Sequence, residues 1–343
     1  MTASSLGRRP LSRRAFLATS IAAGAAFTAC GRSTHPTAVR PTGSTYPTGS
    51  TYGYNEYDRA PLATNAIFDD FDGPFGSAVN SALWLVETVN MGGTQVYTTG
   101  TTNVYLDGES HCVIKLNNVG GYGGTWYGGE FTSRTKFNMQ YGTFATSVKC
   151  IPCHWCFVSA WWFLGCQSDG YPEIDVLQIA DSAVTEANFL DAFAGIPNPG
   201  STTTPGQRSP TILPQIIGAG GDHIATPTPD FTTEFHTFWM QKTPTQIVCG
   251  YDDVTCATWT EANVPNGYTW RSLTQPQYAV YSAGTDNDIG YLGPPAAAPV
   301  QTSPFVWPPA DSTPTPLGPF YMYIDWFSYQ PLVDGVAPPV PKS

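Results

Sequence analysis

Past residue 66 the chain alternates short aromatic and β-branched runs with clusters of Gly, Asn and Pro, and helical spacing of apolar residues is hard to find anywhere in it. That pattern predicts strands. The clearest runs are Thr94–Thr98, His111–Leu116, Glu130–Phe137, Thr143–Lys149, Phe157–Leu164, Glu173–Ile179, Thr237–Met240, Gln246–Tyr251 and Phe320–Tyr329. So many strands in a region of this size predict an all-β fold, two antiparallel sheets packed face to face as a β-sandwich.

Within the run FVSAWWFL (Phe157 to Leu164), the adjacent Trp161 and Trp162 must point to opposite faces of their strand. One indole can therefore enter the core while its neighbour lines the opposite surface. Aromatic content is high at 13%, with ten Trp, while charged residues are sparse at 12%. Core and sheet-face packing is the default reading of this content, and a cleft floored with flat rings, against which the C–H faces of sugars would lie, is the other.

Upstream of residue 66 the pattern changes twice. Arg13 and Arg14 precede a weakly apolar, Ala-rich run that is too short to span a bilayer and ends at Ala29-Cys30. Residues 1–29 thus resemble a twin-arginine export signal, and Phe27-Thr-Ala-Cys30 resembles a lipobox in which Cys30 is acylated. Cleavage near Gly24-Ala25-Ala26 is the alternative, and both place the mature protein outside the cytoplasm, lipid-anchored or free. Residues 30–65 are rich in Ser, Thr, Pro, Gly and Tyr, with PTGSTY at Pro41 repeated at Pro47. They read as an extended tether. Residues 66–335 form one globular domain and 336–343 a tail.

Lys and Arg number 15 against 26 Asp and Glu, for a net charge of −11, and four of the cations lie before Cys30. A mature chain this acidic repels nucleic acid and anionic lipid, leaving a lipid anchor as its only expected contact with a membrane. Of eight Cys, Cys249 and Cys256 are spaced for a bridge across a hairpin. Cys150, Cys153 and Cys156 lack a fourth ligand at metal-site spacing, so disulfides or buried thiols are expected there.

The run GYPEIDVLQIA (Gly170 to Ala180) carries the chemistry. In a strand, Glu173 and Asp175 share one face while Ile174 and Val176 take the other. Two carboxylates side by side repel, which is tolerable on a solvated outer face or in an open cleft. A retaining glycosidase needs a carboxylate nucleophile and a second carboxyl about 5 Å away. Plain alternation would present Leu177 next on that face; an inserted bulge residue would present Gln178.

Glu173-Ile-Asp-Val-Leu-Gln178 resembles the E-I-D-x-x-E signature of glycoside hydrolase family 16, the laminarinase and lichenase-like enzymes, except in its last residue. Further segments agree in order: Phe68-Asp-Asp-Phe-Asp-Gly73 before Trp84, Val104-Tyr-Leu-Asp-Gly108, Phe131-Thr-Ser-Arg134 with Tyr141-Gly142, Ala160-Trp-Trp-Phe-Leu164, Phe235-His-Thr237 and Ile324-Asp-Trp326. The resemblance implies a concanavalin A-like jelly roll that binds a β-linked polysaccharide, a β-glucan or galactan, as a monomer. It implies Glu173 as nucleophile, Asp175 as the residue tuning it, and Gln178 in the place of the proton donor.

Family positions also match Arg134, Trp162 and, more weakly, Trp155 as substrate-binding residues. Asp70, the Gly108 carbonyl and Asp325 match a structural calcium site, Asp70 standing where the family has Glu; no cofactor is required for the reaction. An amide at position 178 has no proton to transfer. Three outcomes remain open: an enzyme using another acid (Asp169, Asp181, Glu186, Asp286 or Asp288), a glycan-binding lipoprotein without hydrolysis, and a transglycosylase. His236 is expected to be a hydrogen-bonded strand residue.

Overall fold

The computed structural model describes residues 60–88, 90–92, 95–98, 100–119, 125–151, 157–165, 173–182, 187–190, 193–195, 231–263, 270–285 and 318–341. Cys30, the leader, nearly all of the tether and the Pro-rich insertions 197–228 and 293–317 lie outside the described residues. The strands are β1 (Ile67–Asp69), β2 (Leu85–Glu87), β3 (Asn90–Gly92), β4 (Gln95–Tyr97), β5 (Val104–Leu106), β6 (Cys112–Val119), β7 (Thr125–Thr132), β8 (Gly142–Lys149) and β9 (Phe157–Gly165). They continue with β10 (Glu173–Ser182), β11 (Ala187–Leu190), β12 (Phe193–Gly195), β13 (His236–Lys242), β14 (Gln246–Tyr251), β15 (Val254–Thr260), β16 (Gln277–Thr285) and β17 (Phe320–Pro331). Helix among the described residues amounts to one α-turn, Trp270–Leu273, and one 3₁₀ turn, Glu261–Asn263.

Pairing sorts the strands into two sheets. The back sheet runs β5-β6-β17-β8-β13-β14-β15, with β1 beside the far half of β17. The front sheet runs β2-β7-β16-β9-β10, with β11 and β12 on its outer edge. All these pairs are antiparallel; β4 alone joins β7 in parallel. The ends of β6 and β7 pair with each other and connect the sheets. Asn103, fully buried, sits at that connection, its Nδ2 donating to the carbonyls of Lys115 (2.6 Å) and Tyr127 (2.8 Å), one in each strand.

Between the sheets lies an aromatic layer. The front sheet supplies Phe131, Tyr281 and Trp161 in one cross-strand row, with ring centroids 4.7 Å apart for the first pair and 6.2 Å for the second. Trp84 bridges the sheets, edge-on to Phe131 of β7 at 5.1 Å and to Phe327 of β17 at 5.2 Å. Tyr281 donates its hydroxyl to Thr146 Oγ1 of β8 at 2.8 Å, tying the sheets by a polar contact as well. Such aromatic pairs add to the burial of their area.

Several expectations need correcting. The predicted strand Glu130–Phe137 ends at Thr132, because Ser133 opens a turn whose carbonyl accepts the amides of Lys136 and Phe137, and Thr135 takes a positive φ of 65°. The same strand begins earlier than its apolar run, at Thr125. Cys249 and Cys256 are free thiols: β14 and β15 slip by one residue at Gly250, so Cys249 opposes Ala257 and Cys256 falls in the bulge. Cys150 is buried, while Cys153 and Cys156 lie outside the described residues. The segment after 335, expected as a tail, lies against the back sheet, where Val340 packs on Ala145, Trp239 and Trp326 and the Pro338 carbonyl accepts from Gln241.

Lys242 is buried at the end of β13, donating from Nζ to the Gln275 carbonyl (3.0 Å) and Gln277 Oε1 (2.6 Å). With no carboxylate among these partners, burial pulls its ammonium down to about 7.

Two predictions follow from packing and burial. Trp161→Ala is expected to destabilise the protein by about 3–5 kcal/mol in equilibrium urea unfolding, because the cavity opens in the middle of the aromatic layer. Above pH 7 the folded chain releases the Lys242 proton that the unfolded chain keeps, so this residue contributes stability that grows as pH rises from 7 towards 9. Urea midpoints measured across that window should climb in the wild type and climb less in Lys242→Met; equal slopes would sink the assignment.

Candidate functional site

The outer face of the front sheet is set by what its strands bury. Phe131, Tyr281 and Trp161 occupy the inner face, so their neighbours Glu130, Ser282 and Trp162 occupy the outer one. Two cross-strand rows result. One reads Leu85, Thr132, Val280, Trp162, Asp175 and Phe193; the next reads Glu87, Glu130, Ser282, Ala160 and position 178.

That second row exists because of a bulge. β10 pairs with β9 as Glu173 with Leu164, Ile174 with Phe163 and Asp175 with Trp162, then skips Val176 and resumes with Leu177 opposite Trp161. Val176 and Leu177 both enter the core, at 2% and 0% exposure. Position 178 consequently falls opposite Ala160, on the side of β9 that carries Trp162, as the bulged alternative predicted. The backbone thus brings residues 173, 175 and 178 to one face.

This face is recessed. Asp175 is 3% exposed, Thr132 and Ser282 are buried, and Glu173 and Trp162 are half-buried. Trp162 donates its indole N–H to Ser282 Oγ at 3.2 Å and packs against the small apolar cluster of Leu164, Tyr278 and Val280. Glu173 therefore stands beside an apolar floor with an anchored indole one strand away, an arrangement suited to the apolar face of a sugar ring.

Arg134, expected to hold a sugar hydroxyl or the nucleophile, forms an ion pair with Glu87. Just past the end of β7, its guanidinium grips Glu87 of β2 through Nε to Oε1 (2.8 Å) and Nη2 to Oε2 (3.0 Å). Such a two-point pair fixes both side chains. Glu130 lies beside it, 3% exposed, and its sequence context carried no signal: a lone acid in the predicted strand Glu130–Phe137 gave no reason to single it out. Burial first, then the Glu87 charge, pushes its carboxyl up to about 8, while Arg134 pulls it down.

The remaining candidates separate. Trp155, Asp169, Glu186, Asp286 and Asp288 lie outside the described residues; Asp181 is in β10 opposite Asn188. His236 belongs to the back sheet, its Nδ1 2.7 Å from Asp252 Oδ2, in keeping with a strand residue held by a hydrogen bond. Asp70 follows β1, Asp325 sits at the bulge of β17, and Gly108 occupies the β5–β6 turn, with Cys112 of β6 opposite Ile324. Pairing brings these three towards one stretch of β17. No group of three or more His, Cys, Asp or Glu side chains among the described residues could hold a metal, so an ion there would depend on backbone carbonyls and water.

No protein-family model and no curated protein sequence matches the chain. Solved structures do match. An endo-1,3-β-glucanase from Streptomyces sioyaensis shares 21% identity at a TM-score of 0.56, covering 80% of this chain and 100% of that one. The laminarinase catalytic domain from Thermotoga maritima shares 17% at 0.55, covering 80% and 100%. A laminarinase from Flavobacterium sp. shares 17% at 0.53, covering 77% and 98%. A further match is a family 16 non-specific endo-β-1,3(4)-glucanase crystallised with a glucan oligosaccharide at its active site. At these identities the likeness concerns architecture, and on that footing the chain has the laminarinase-like jelly-roll fold of glycoside hydrolase family 16.

Proposed function

We propose that this protein acts on a β-linked polysaccharide, a β-glucan or galactan, in a cleft over the front sheet, as a slow retaining glycoside hydrolase whose proton donor has been replaced by Gln178. The observation that carries the reading is the bulge at Val176, which sets Glu173, Asp175 and position 178 on the face that also holds Trp162. In the proposed reaction a Glu173 oxygen bonds to the anomeric carbon as the glycosidic C–O bond breaks. The leaving sugar oxygen keeps the bonding electrons and takes its proton from water, since an amide can only hydrogen-bond it. Water then attacks the same carbon, frees Glu173 and completes hydrolysis with retention.

Gln178 also favours a second reading, a glycan-binding protein that no longer cleaves. Loss of general-acid assistance forfeits about 10²- to 10⁴-fold in rate, enough to make a hydrolase look like a binder. An acceptor sugar in place of water would make the same site a transglycosylase.

We further propose export with Cys30 as a lipid anchor, to be checked by mass spectrometry of the mature N-terminus. For calcium, Asp70, the Gly108 carbonyl and Asp325 are the proposed ligands. A melting temperature lowered by EDTA in the wild type but not in Asp325→Ala would support the site; equal responses would remove it.

Assays of reducing ends released from laminarin, lichenan and a galactan test the main reading. Wild type should release them slowly, Glu173→Gln should abolish release, and Gln178→Glu should raise the rate by about 10²- to 10⁴-fold. A Gln178→Glu protein no faster than wild type would mean that position 178 is not the donor position. Trp162→Ala should weaken glucan binding while leaving the urea midpoint close to that of wild type, in contrast to Trp161→Ala; a large loss of stability would show that Trp162 is a core residue.

A further inference from the structure

The back sheet presents a second set of aromatic rings, on its outer face and away from the sheet that bears Glu173. Tyr105 of β5, Lys115 of β6, Lys149 of β8, and Tyr321 and Tyr323 of β17 each stand between two residues that pack in the core, so alternation turns all five outward. Register sets Tyr105, Val113, Tyr323 and Lys149 in one cross-strand row and places Lys115 opposite Tyr321 in the next. Val113 faces the same way, is 2% exposed and belongs to no core cluster, so it forms the floor of this row.

The polar groups of this face are held in place but not used up. Lys149 Nζ lies 4.7 Å from the centroid of the Tyr323 ring and 5.7 Å from that of Phe235, which fixes the ammonium without neutralising it. Phe235 stacks on His111 at 5.1 Å, and His111 Nδ1 is 2.7 Å from Asp107 Oδ2. Asp107 is thereby taken up, its other oxygen accepting the backbone amides of Glu109 and His111. Among the described residues, neither Lys115 nor Lys149 is paired with a carboxylate, and the hydroxyls of Tyr105, Tyr321 and Tyr323 make no hydrogen bond.

Flat rings with free phenols suit the C–H faces and hydroxyls of a pyranose chain, and unpaired ammoniums beside them suit carboxylates carried by that chain. We propose that this face is a second carbohydrate-binding surface, one that takes an acidic, uronate-bearing polysaccharide. Its sugar rings rest on Tyr105 and Tyr321, and its carboxylates meet Lys115 and Lys149. The two lysines are two interstrand steps and two residues apart, about 12 Å at the backbone, a spacing for successive charges along a chain and not for one small anion. Exposed charges act over about 8 Å at physiological salt, so the net charge of −11 on the whole chain weighs less here than the two ammoniums within the face. The surface serves no step of the Glu173 reaction and does not depend on it.

The test is calorimetric titration of the full chain with oligogalacturonate at low and at high NaCl. Wild type should bind, and more weakly at high salt. Lys149→Gln should bind about tenfold more weakly at low salt, the equivalent of one charge-assisted hydrogen bond, and should respond less to added salt. Tyr321→Ala should weaken binding at both salt concentrations, because stacking is not screened. Neither substitution should change the release of reducing ends from laminarin. Oligogalacturonate that gives no heat, or that binds Lys149→Gln as tightly as wild type, overturns the proposal. So does a wild-type protein that ignores oligogalacturonate and binds phosphatidylglycerol vesicles, which would make the face a membrane contact. Because Lys149 is a partly exposed surface residue, its variant decides the matter even if Tyr321→Ala does not fold. Oligogalacturonate binding in a protein that cleaves no glucan would support this surface while removing the Glu173 reading.

Discussion

Strand alternation under a tightly packed aromatic layer is the constraint on which the rest of this molecule depends. Phe131, Tyr281 and Trp161 are locked together on the inner face of the front sheet, and Tyr281 is additionally fastened to Thr146 of the opposing sheet. Once those side chains point inward, their sequence neighbours have no choice but to point outward. The face that carries Trp162, Asp175 and Glu130 is therefore positioned by the core beneath it.

Among the described pairings of the front sheet, the bulge at Val176 is where that alternation is broken, and the break changes which residue is presented. By sending both Val176 and Leu177 inward, β10 exchanges an aliphatic for a polar residue on its outer face. Hydrophobic burial drives the exchange, because the alternative register would set Leu177 beside Asp175 and take it out of the core. A fold-determining event and a site-determining event are here the same skipped pairing.

Much of this was legible in the chain. The all-β class follows from run length and punctuation, and the opposed roles of Trp161 and Trp162 follow from adjacency alone. The bulge could be posed from sequence only as an alternative, since IDVLQI is compatible with either register until the partner strand is fixed. The end of β7 was misplaced because Phe137 extends the apolar run past a turn set by Ser133 and Thr135. The β14–β15 slip at Gly250 likewise undid a bridge that spacing favoured. Glu130 and the Glu87–Arg134 clamp were invisible because their significance lies in partners 43 to 47 positions away along the chain or in burial, neither of which a local pattern encodes.

Asn103 sets a limit on how the front face can change shape. Its amide joins β6 to β7 at the junction of the two sheets, fixing the strand that bears Glu130 to the back sheet. An edge fastened in this way cannot hinge outward to admit a bulkier polymer. New specificity in this scaffold would therefore come from lengthening or trimming the connections around the rim, leaving the floor as a fixed ruler against which successive sugar units are measured.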